Sequence, residues 1–427
     1  MQFMLREITV KKRGIEDYAE FVDKDFIPLL KRSAVATLGK KILHINSTPV
    51  GGGVAEMLKS LVPLERGLGM DSRWYTMDVY DPDFFMITKK LYNSLQGNKG
   101  SLDNQEKEKY IKINEENAVQ LNALMPDIVI VHDPQPLATI HSYHGAPMIS
   151  RMHIDLSTPN PSAIKFIMPY LCLYDLAVFS IGEFVPGGLS REKIKIQAPA
   201  IDPLSEKNKA TNPDEARSIL KMMGVDIDRP IMAQVSRFDV WKDPVGVIQA
   251  YYFAKSRIPD LQLVLLGNIQ SQDDPEATNV FHSVRKYAGD NPDIFLFQKP
   301  PNEDATNDIM VRTVQSAADV VLQKSIREGF GLTVTEAMWQ GKPVIGGDVG
   351  GIRKQIENGV NGFLVSSPEE AAERTVELIK NPQLAREMGK KANESVRKNF
   401  LITRLLGDYV EMYQLLLRSQ QSHPLEN

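Results

Sequence analysis

Cysteine is almost absent, with Cys172 alone in 427 residues. One thiol excludes an internal disulfide and fits a reducing compartment. Its setting, MPYLCLYDLAVFS, is apolar, so Cys172 reads as a core residue rather than a nucleophile. Long hydrophobic runs are missing too. Stretches such as DIVIV and LQLVLLG fall far short of the roughly 20 residues that span a bilayer. The opening MQFMLREITVKKRGIEDYAEF lacks an apolar core of the leader type and is broken by acids, so no secretory leader is expected. Nor is there a surplus of charge. The 50 basic and 54 acidic residues leave −4, which points to neither nucleic acid nor a membrane as partner. A cytoplasmic location is the expectation. The 7 histidines are scattered, and His141 and His144 at i, i+3 lack a third ligand, so no protein metal site is expected.

What is present is the composition of a globular protein, 42% hydrophobic and 24% charged. The length argues for two domains. KILHINS, DSRWYTMD, DIVIVHD, PMISRMH and LAVFS alternate with helical patterns in the first half. RPIMAQVS, LQLVLLG, IFLFQ, ADVVLQ, KPVIGG and NGFLV restart the pattern in the second. Such alternation predicts parallel sheets covered by helices. Gln197–Ala216 is rich in Pro, Asn and Lys without apolar periodicity and reads as the linker. The expected fold is α/β, two doubly wound Rossmann-like domains with the ligand held in a cleft between them. LITRLLGDYVEMYQLLLRSQQ is an amphipathic helix, while residues 1–37 carry no clear assignment.

Chemistry gathers at three strand ends. NSTPVGGGVAEM sets Gly51, Gly52 and Gly53 before a helix, where bare N–H groups and the helix dipole favour an anion. A tight strand–helix turn is the other reading of those glycines. VSRFDVWKDP holds Arg237 and Lys242, cations able to clamp a diphosphate or merely to coat a solvated loop. SIREGFGLTVTEAMWQGKPVIGGDVGG carries Glu328 on a loop and Glu336 about a turn into a helix. Gly329 and Gly331 leave room for a ligand against the backbone, and a second strand–helix unit follows at once, so two helix N-termini are expected to open into one crevice. Carboxylates are poor partners for phosphate but good acceptors for sugar hydroxyls. A ligand bearing both groups, a nucleotide sugar, satisfies the pattern. A solvated helix face for Glu336 is the alternative. Glycoside hydrolysis also uses paired carboxylates but needs no diphosphate cradle.

EGFGLTVTEAMWQGKPVIGGDVGG closely resembles the retaining glycosyltransferases of family 4, whose fold is the two-domain GT-B architecture. Glu328 and Glu336 match their E-x7-E signature, Arg237 and Lys242 their Arg-x4-Lys pair, and Gly51–Gly53 their N-terminal glycine loop. HINSTPVGGGVAEML, DSRWY, VHDPQPLA and RMHIDLS are similar to the branch that joins the glucose of a nucleoside-diphosphate glucose to free glucose, giving trehalose. The resemblance implies an N-terminal domain over 1–205, a nucleotide-sugar domain over 206–403, and a helix over 404–427 returning to the first domain. It implies that Arg237 and Lys242 neutralise the departing diphosphate, that Glu336 binds ribose hydroxyls, and that Glu328 holds the transferred glucose. Gly329, Phe330, Gly331 and Leu332 would line the donor, with Gly350 and Gly351 offering N–H groups. His153 would lie near the donor sugar, its carbonyl or ring N–H stabilising charge at the anomeric carbon. His132, Asp133 and Asp155 are candidates for acceptor glucose, with structural roles equally open. One departure is visible: Arg353 and Lys354 stand where many relatives carry Pro-Glu after Gly-Gly-Ile, making the local charge more positive. No covalent cofactor is implied. Mg2+ would act only through the nucleotide, and a homodimer is expected. Alternatives are a sugar-phosphate acceptor, for which Arg151 is a candidate cation, a lipid or glycan acceptor, or a phosphorylase or epimerase on a similar scaffold.

Overall fold

The β-rich runs pair into two separate sheets in the computed structural model, which describes residues 5–50, 52–79, 81–267, 277–298 and 306–422. The first holds β1 (Leu5–Ile8), β2 (Lys41–Asn46), β3 (Asp71–Met77), β4 (Ile128–His132), β5 (Met148–Met152), β6 (Leu176–Phe179) and β7 (Ile194–Ile196). Its order is β1-β3-β2-β4-β5-β6-β7. Only β1 runs antiparallel, against β3. The second sheet holds β8 (Ile231–Val235), β9 (Gln262–Leu266), β10 (Ile294–Phe297), β11 (Val320–Gln323), β12 (Val344–Gly347) and β13 (Phe363–Val365). Its order is β10-β9-β8-β11-β12-β13, parallel throughout.

Each sheet is the core of its own unit. One unit comprises the described residues up to Ala200 and those from Ile402 onward, the other Ile201–Leu401. Central strands are buried along their length, as in IVIVH of β4 and IMAQV of β8. That is the reason they read as continuous apolar runs rather than alternating ones. In both sheets the order reverses at the middle strands, β2/β4 and β8/β11, the switch points at which such sheets present ligand-binding loops. The helix Ile402–Ser422 belongs to the first unit and packs on the helix Gly53–Gly67. No helix among the described residues is long and apolar enough to cross a membrane.

One sequence expectation is refined and one needs correction. The boundary between the units, between Ala200 and Ile201, falls inside the linker Gln197–Ala216, and that stretch is itself folded. Ala200, Ile201, Asp202 and Asn208 are buried. Ile201 N–H donates to the Phe400 carbonyl at 2.9 Å, and Asn208 Nδ2 donates to the Asp202 carbonyl at 3.0 Å. Such one-by-one pairing leaves no period in the sequence. Cys172 is exposed, not core. It caps the helix Pro161–Leu171, where the apolar run turns a corner: Leu171 is 1% exposed and Leu173 52%.

Candidate active site

In the second unit, β8 and β11 are neighbours, so the loops after them meet. Lys242 Nζ forms a close ion pair with Glu328 Oε2, and Ser325 Oγ donates to the same oxygen at 3.1 Å. The loops are also stitched by backbone: Ile326 N–H donates to the Trp241 carbonyl at 2.9 Å. Asp243 adopts a left-handed φ of 48° and caps the helix Pro244–Lys255, accepting from Gly246 N–H at 3.0 Å. Its other oxygen pairs with Lys324. Arg237 lies on this loop, its guanidinium 3.7 Å from Asp239. Glu328 is buried, which places a carboxylate at low dielectric beside an ammonium.

The loop after β12 locks against the same turn. Gly351 N–H donates to the Glu328 carbonyl at 3.2 Å. A Cβ on Gly351 would lie 2.4 Å from Phe330 Cα and 2.6 Å from the Gly329 carbonyl, so only glycine fits. Gly331 precedes the helix Leu332–Trp339 with φ 86°, a conformation that favours glycine. Gln355 Nε2 donates to the Phe330 carbonyl at 2.5 Å, and the Phe330 ring stands edge-on to Phe400 at 5.6 Å. Glu328, Gly329, Phe330, Gly331 and Gly351 thus form one interlocked surface, and Gly350 precedes it with a left-handed φ of 43°. Leu332 opens the helix behind it.

Two details depart from the sequence reading, and one alternative within it falls. The second helix, Ile352–Gln355, is a single turn, so one helix N-terminus of useful length faces this loop rather than two. Arg353 pairs with Asp348 at 2.6 Å, so its extra charge is balanced locally. Glu336 sits in the second turn of its helix but is buried, not on a solvated face. Lys207 Nζ stands 3.6 Å from Glu336 Oε1. That lysine was missed because it lies in the stretch read as a linker, and nothing in its local sequence marks it.

In the first unit, Gly52 caps the helix Gly53–Gly67 in extended conformation (φ −149°). Among the described residues beyond its chain neighbours, a Cβ at Gly52 would meet no atom within 4 Å. Gly51 lies outside the described residues. Asp133 follows β4 with a left-handed φ of 64°, unusual for a residue with a side chain. Its carboxylate accepts from His153 N–H at 2.7 Å and so fixes the loop after β5. Asp155 is buried and accepts from Ser157 N–H and Oγ at 2.9 and 2.6 Å. His132 and His153 are joined through Nδ1 and Nε2 at 3.0 Å. Burial, then the neighbouring His153, His44 and Arg151, hold His132 well below the usual imidazole range. Burial and Arg151 do the same to His153. Arg151 is fully buried and donates to the Gln197 side chain and carbonyl at 2.8 and 2.6 Å, which removes it as a cation for an acceptor phosphate. Sequence reasoning missed His44, which joins His132 at 3.1 Å. Among the described residues no three His, Cys, Asp or Glu side chains converge as a metal site requires.

Residues 44–186 match the family model described as "Trehalose synthase, N-terminal domain", and residues 219–395 match "Glycosyl transferases group 1". The trehalose synthase of Pyrococcus horikoshii is 42% identical over 97% of this chain and 100% of that protein. The chain belongs to the trehalose synthase family. A second trehalose synthase, from Rubrobacter xylanophilus, is 42% identical over the same 97%. Among solved structures, the α,α-trehalose 6-phosphate synthase of Burkholderia multivorans superimposes with a TM-score of 0.70 at 14% identity, covering 91% of this chain and 99% of that one. Sucrose-phosphate synthase from Thermosynechococcus elongatus gives 0.68 at 17% identity over 89% and 100%. These distant likenesses establish the fold, GT-B. As a trehalose synthase family member of that fold the chain is a hexosyltransferase. The first matched range spans His44, His132 and His153, and the second spans Arg237, Lys242, Glu328 and Glu336.

Proposed function

We propose that this chain transfers glucose, with retention of anomeric configuration, from a nucleoside-diphosphate glucose (ADP-, UDP- or GDP-glucose) to free D-glucose, forming α,α-trehalose reversibly. The observation that carries the reading is the full-length likeness to trehalose synthases, joined to a buried carboxylate and an ammonium at the strand ends where a nucleotide sugar belongs. Arg237 and Lys242 take the diphosphate. Lys242 already faces Glu328, so donor binding places the ammonium between the sugar-holding carboxylate and the phosphate. Glu328 accepts hydroxyls of the transferred glucose, and Glu336, with Lys207 beside it, those of the ribose. Gly52 and Gly53 leave room for the donor. His153 stands beside the donor glucose, and Asp133 and Asp155 serve the acceptor side by shaping the loops that bear His153 and Ser157. His132, buried with both ring nitrogens taken by His44 and His153, reaches no acceptor hydroxyl and acts only through His153.

No protein nucleophile is needed. As the anomeric C–O bond to the diphosphate breaks, its oxygen takes the proton of the incoming hydroxyl on the same face. The protein contributes positioning and stabilisation of the departing charge. No covalent cofactor takes part, Mg2+ acts only through the nucleotide, and the enzyme works in the cytoplasm as a homodimer. A second reading has one observation behind it. Trehalose phosphorylase of Pleurotus pulmonarius is 29% identical over 76% of this chain and 50% of that protein.

The test is incubation with glucose and each of ADP-, UDP- and GDP-glucose, with trehalase digestion of the product. A trehalase-sensitive disaccharide with stoichiometric nucleoside diphosphate is expected. Disaccharide from glucose 1-phosphate, and none from any nucleotide sugar, would transfer the chain to the phosphorolytic reading.

A further inference from the structure

Two strands of the first unit, and the first residue past a third, each place one histidine on a single face: His44 lies in β2, His132 ends β4, and His153 directly follows β5. His44 on β2 is register-paired with Ile130, and His132 on β4 with Arg151. From His44 to His132 to His153, each step crosses one strand and advances two residues toward the carboxyl ends. Side chains two apart share a face, so the rings line up on a diagonal. They stack at centroid distances of 5.4 and 5.3 Å. His44 Nδ1 meets His132 Nε2 at 3.1 Å, and His132 Nδ1 meets His153 Nε2 at 3.0 Å. At the inner end His44 Nε2 meets Glu65 Oε2 at 3.0 Å. Glu65 also accepts from Ser72 Oγ and, through Oε1, from Tyr413 OH at 2.7 Å. Glu65, His44 and His132 are wholly buried.

This chain has a direction. A neutral imidazole has one N–H and one lone pair, and a carboxylate has only lone pairs. Facing a carboxylate, His44 must present Nε2–H, which leaves Nδ1 as acceptor. His132 must then donate from Nε2, and His153 likewise. We propose that Glu65, His44 and His132 are positioning residues that hold His153 as the neutral Nε2–H tautomer, leaving Nδ1 as a lone-pair acceptor for the transferred sugar. The inference rests on the reading of His153 as the residue beside the donor glucose. It replaces the ring N–H contact implied by the family resemblance with a ring lone pair.

The physical gain is electrostatic. Three imidazole dipoles align head to tail, each N–H pointing toward Glu65. Their negative ends add at His153 Nδ1, which makes no hydrogen bond among the described residues. Aligned hydrogen bonds polarise one another at low dielectric. The field is fixed before reaction and favours positive charge at the anomeric carbon as the diphosphate departs. Burial and the nearby Arg151 keep His132 and His153 uncharged, so the chain remains a line of dipoles.

The test uses the full chain labelled with 15N-histidine, with two-bond 15N–1H spectra recorded without substrate. Loss of one spin system in His153→Gln assigns that ring. The wild type is expected to show His153 protonated at Nε2. Glu65→Gln removes the carboxylate that sets the direction. It is expected to shift His153 toward Nδ1–H and to lower kcat about 10–100-fold with little change in KM, the scale for a partner acting through another residue. Tyr413→Phe keeps the carboxylate and is expected to keep the tautomer. His153 protonated at Nδ1 in the wild type overturns the proposal, and so does an unchanged tautomer with unchanged kcat in Glu65→Gln. Because the spectra need no turnover, they decide the tautomer even if the wild type makes no trehalose, a result that would sink the proposed reaction instead.

Discussion

In the second unit a buried carboxylate, Glu328, faces an ammonium; in the first, the buried carboxylate, Glu65, faces an imidazole. The first arrangement holds full charges on loops, where a charged ligand can compete for Lys242. The second stores its polarity in neutral rings fixed on strands. A departing diphosphate requires counter-charge that can be re-partnered. A sugar carbon that becomes briefly positive requires a fixed field that costs nothing to reorganise. The two units therefore differ in how they should fail.

The largest expected effect breaks the charged side. Arg237→Ala or Lys242→Ala is predicted to lower kcat about 10²–10³-fold, the scale for one preorganised stabilising group. Steady-state assays of trehalose formation decide it, and near-normal turnover would remove these residues from the diphosphate. Next comes the interlock. Gly351→Ala puts a Cβ against Phe330 Cα and the Gly329 carbonyl. The backbone must move, at a cost of about 1–3 kcal/mol, read as a lower midpoint in urea unfolding. An unchanged midpoint would mean that the two loops are not packed as described.

The pH predictions sharpen the contrast. His132 is held well below its unfolded value near 6.5, by burial first and then by His153, His44 and Arg151. The folded state therefore binds fewer protons than the unfolded one, and its contribution, full above that value, is lost as pH falls below it. Thermal midpoints should drop as pH falls below about 6.5, and His132→Gln should flatten that slope. Wild type and variant with equal slopes would contradict it. In the second unit, Asp293 is lowered from 3.8 to about 2 by its hydrogen bond to Arg229 and then by Lys255, against a smaller desolvation cost. Its contribution is present above pH 3.8 and fades as pH falls through about 2. Asp293→Asn should cost about 1 kcal/mol at pH 7 in urea titrations, and the difference from wild type should close in acid.

How far the sequence carried each side follows from locality. Glu328, Gly331, Glu336, Gly350 and Gly351 are near neighbours in the chain, and their spacing could be read directly. Arg237 and Lys242 were legible because they follow a strand whose end the pattern marked. Lys207 was not, since it approaches Glu336 from a stretch without period. The histidine line was illegible for a different reason. Each member is one residue in, or directly after, a different strand, and only the order β2-β4-β5 brings them together. The short helix Ile352–Gln355 was overestimated because an apolar-basic pattern does not reveal that one turn is all there is. Cys172 was misplaced because an apolar run that rounds a helix end exposes part of itself.

The bond from Tyr413 to Glu65 has a consequence for assembly. It joins residues 348 positions apart, across the whole of the second unit. The sheet that begins the chain thus receives its last helix only after everything between has been made. The contiguous Ile201–Leu401 unit can complete its core first, although it is synthesised later. Until the final helix arrives, Glu65 lacks one of its donors, so the N-terminal half emerges from the ribosome early and finishes late.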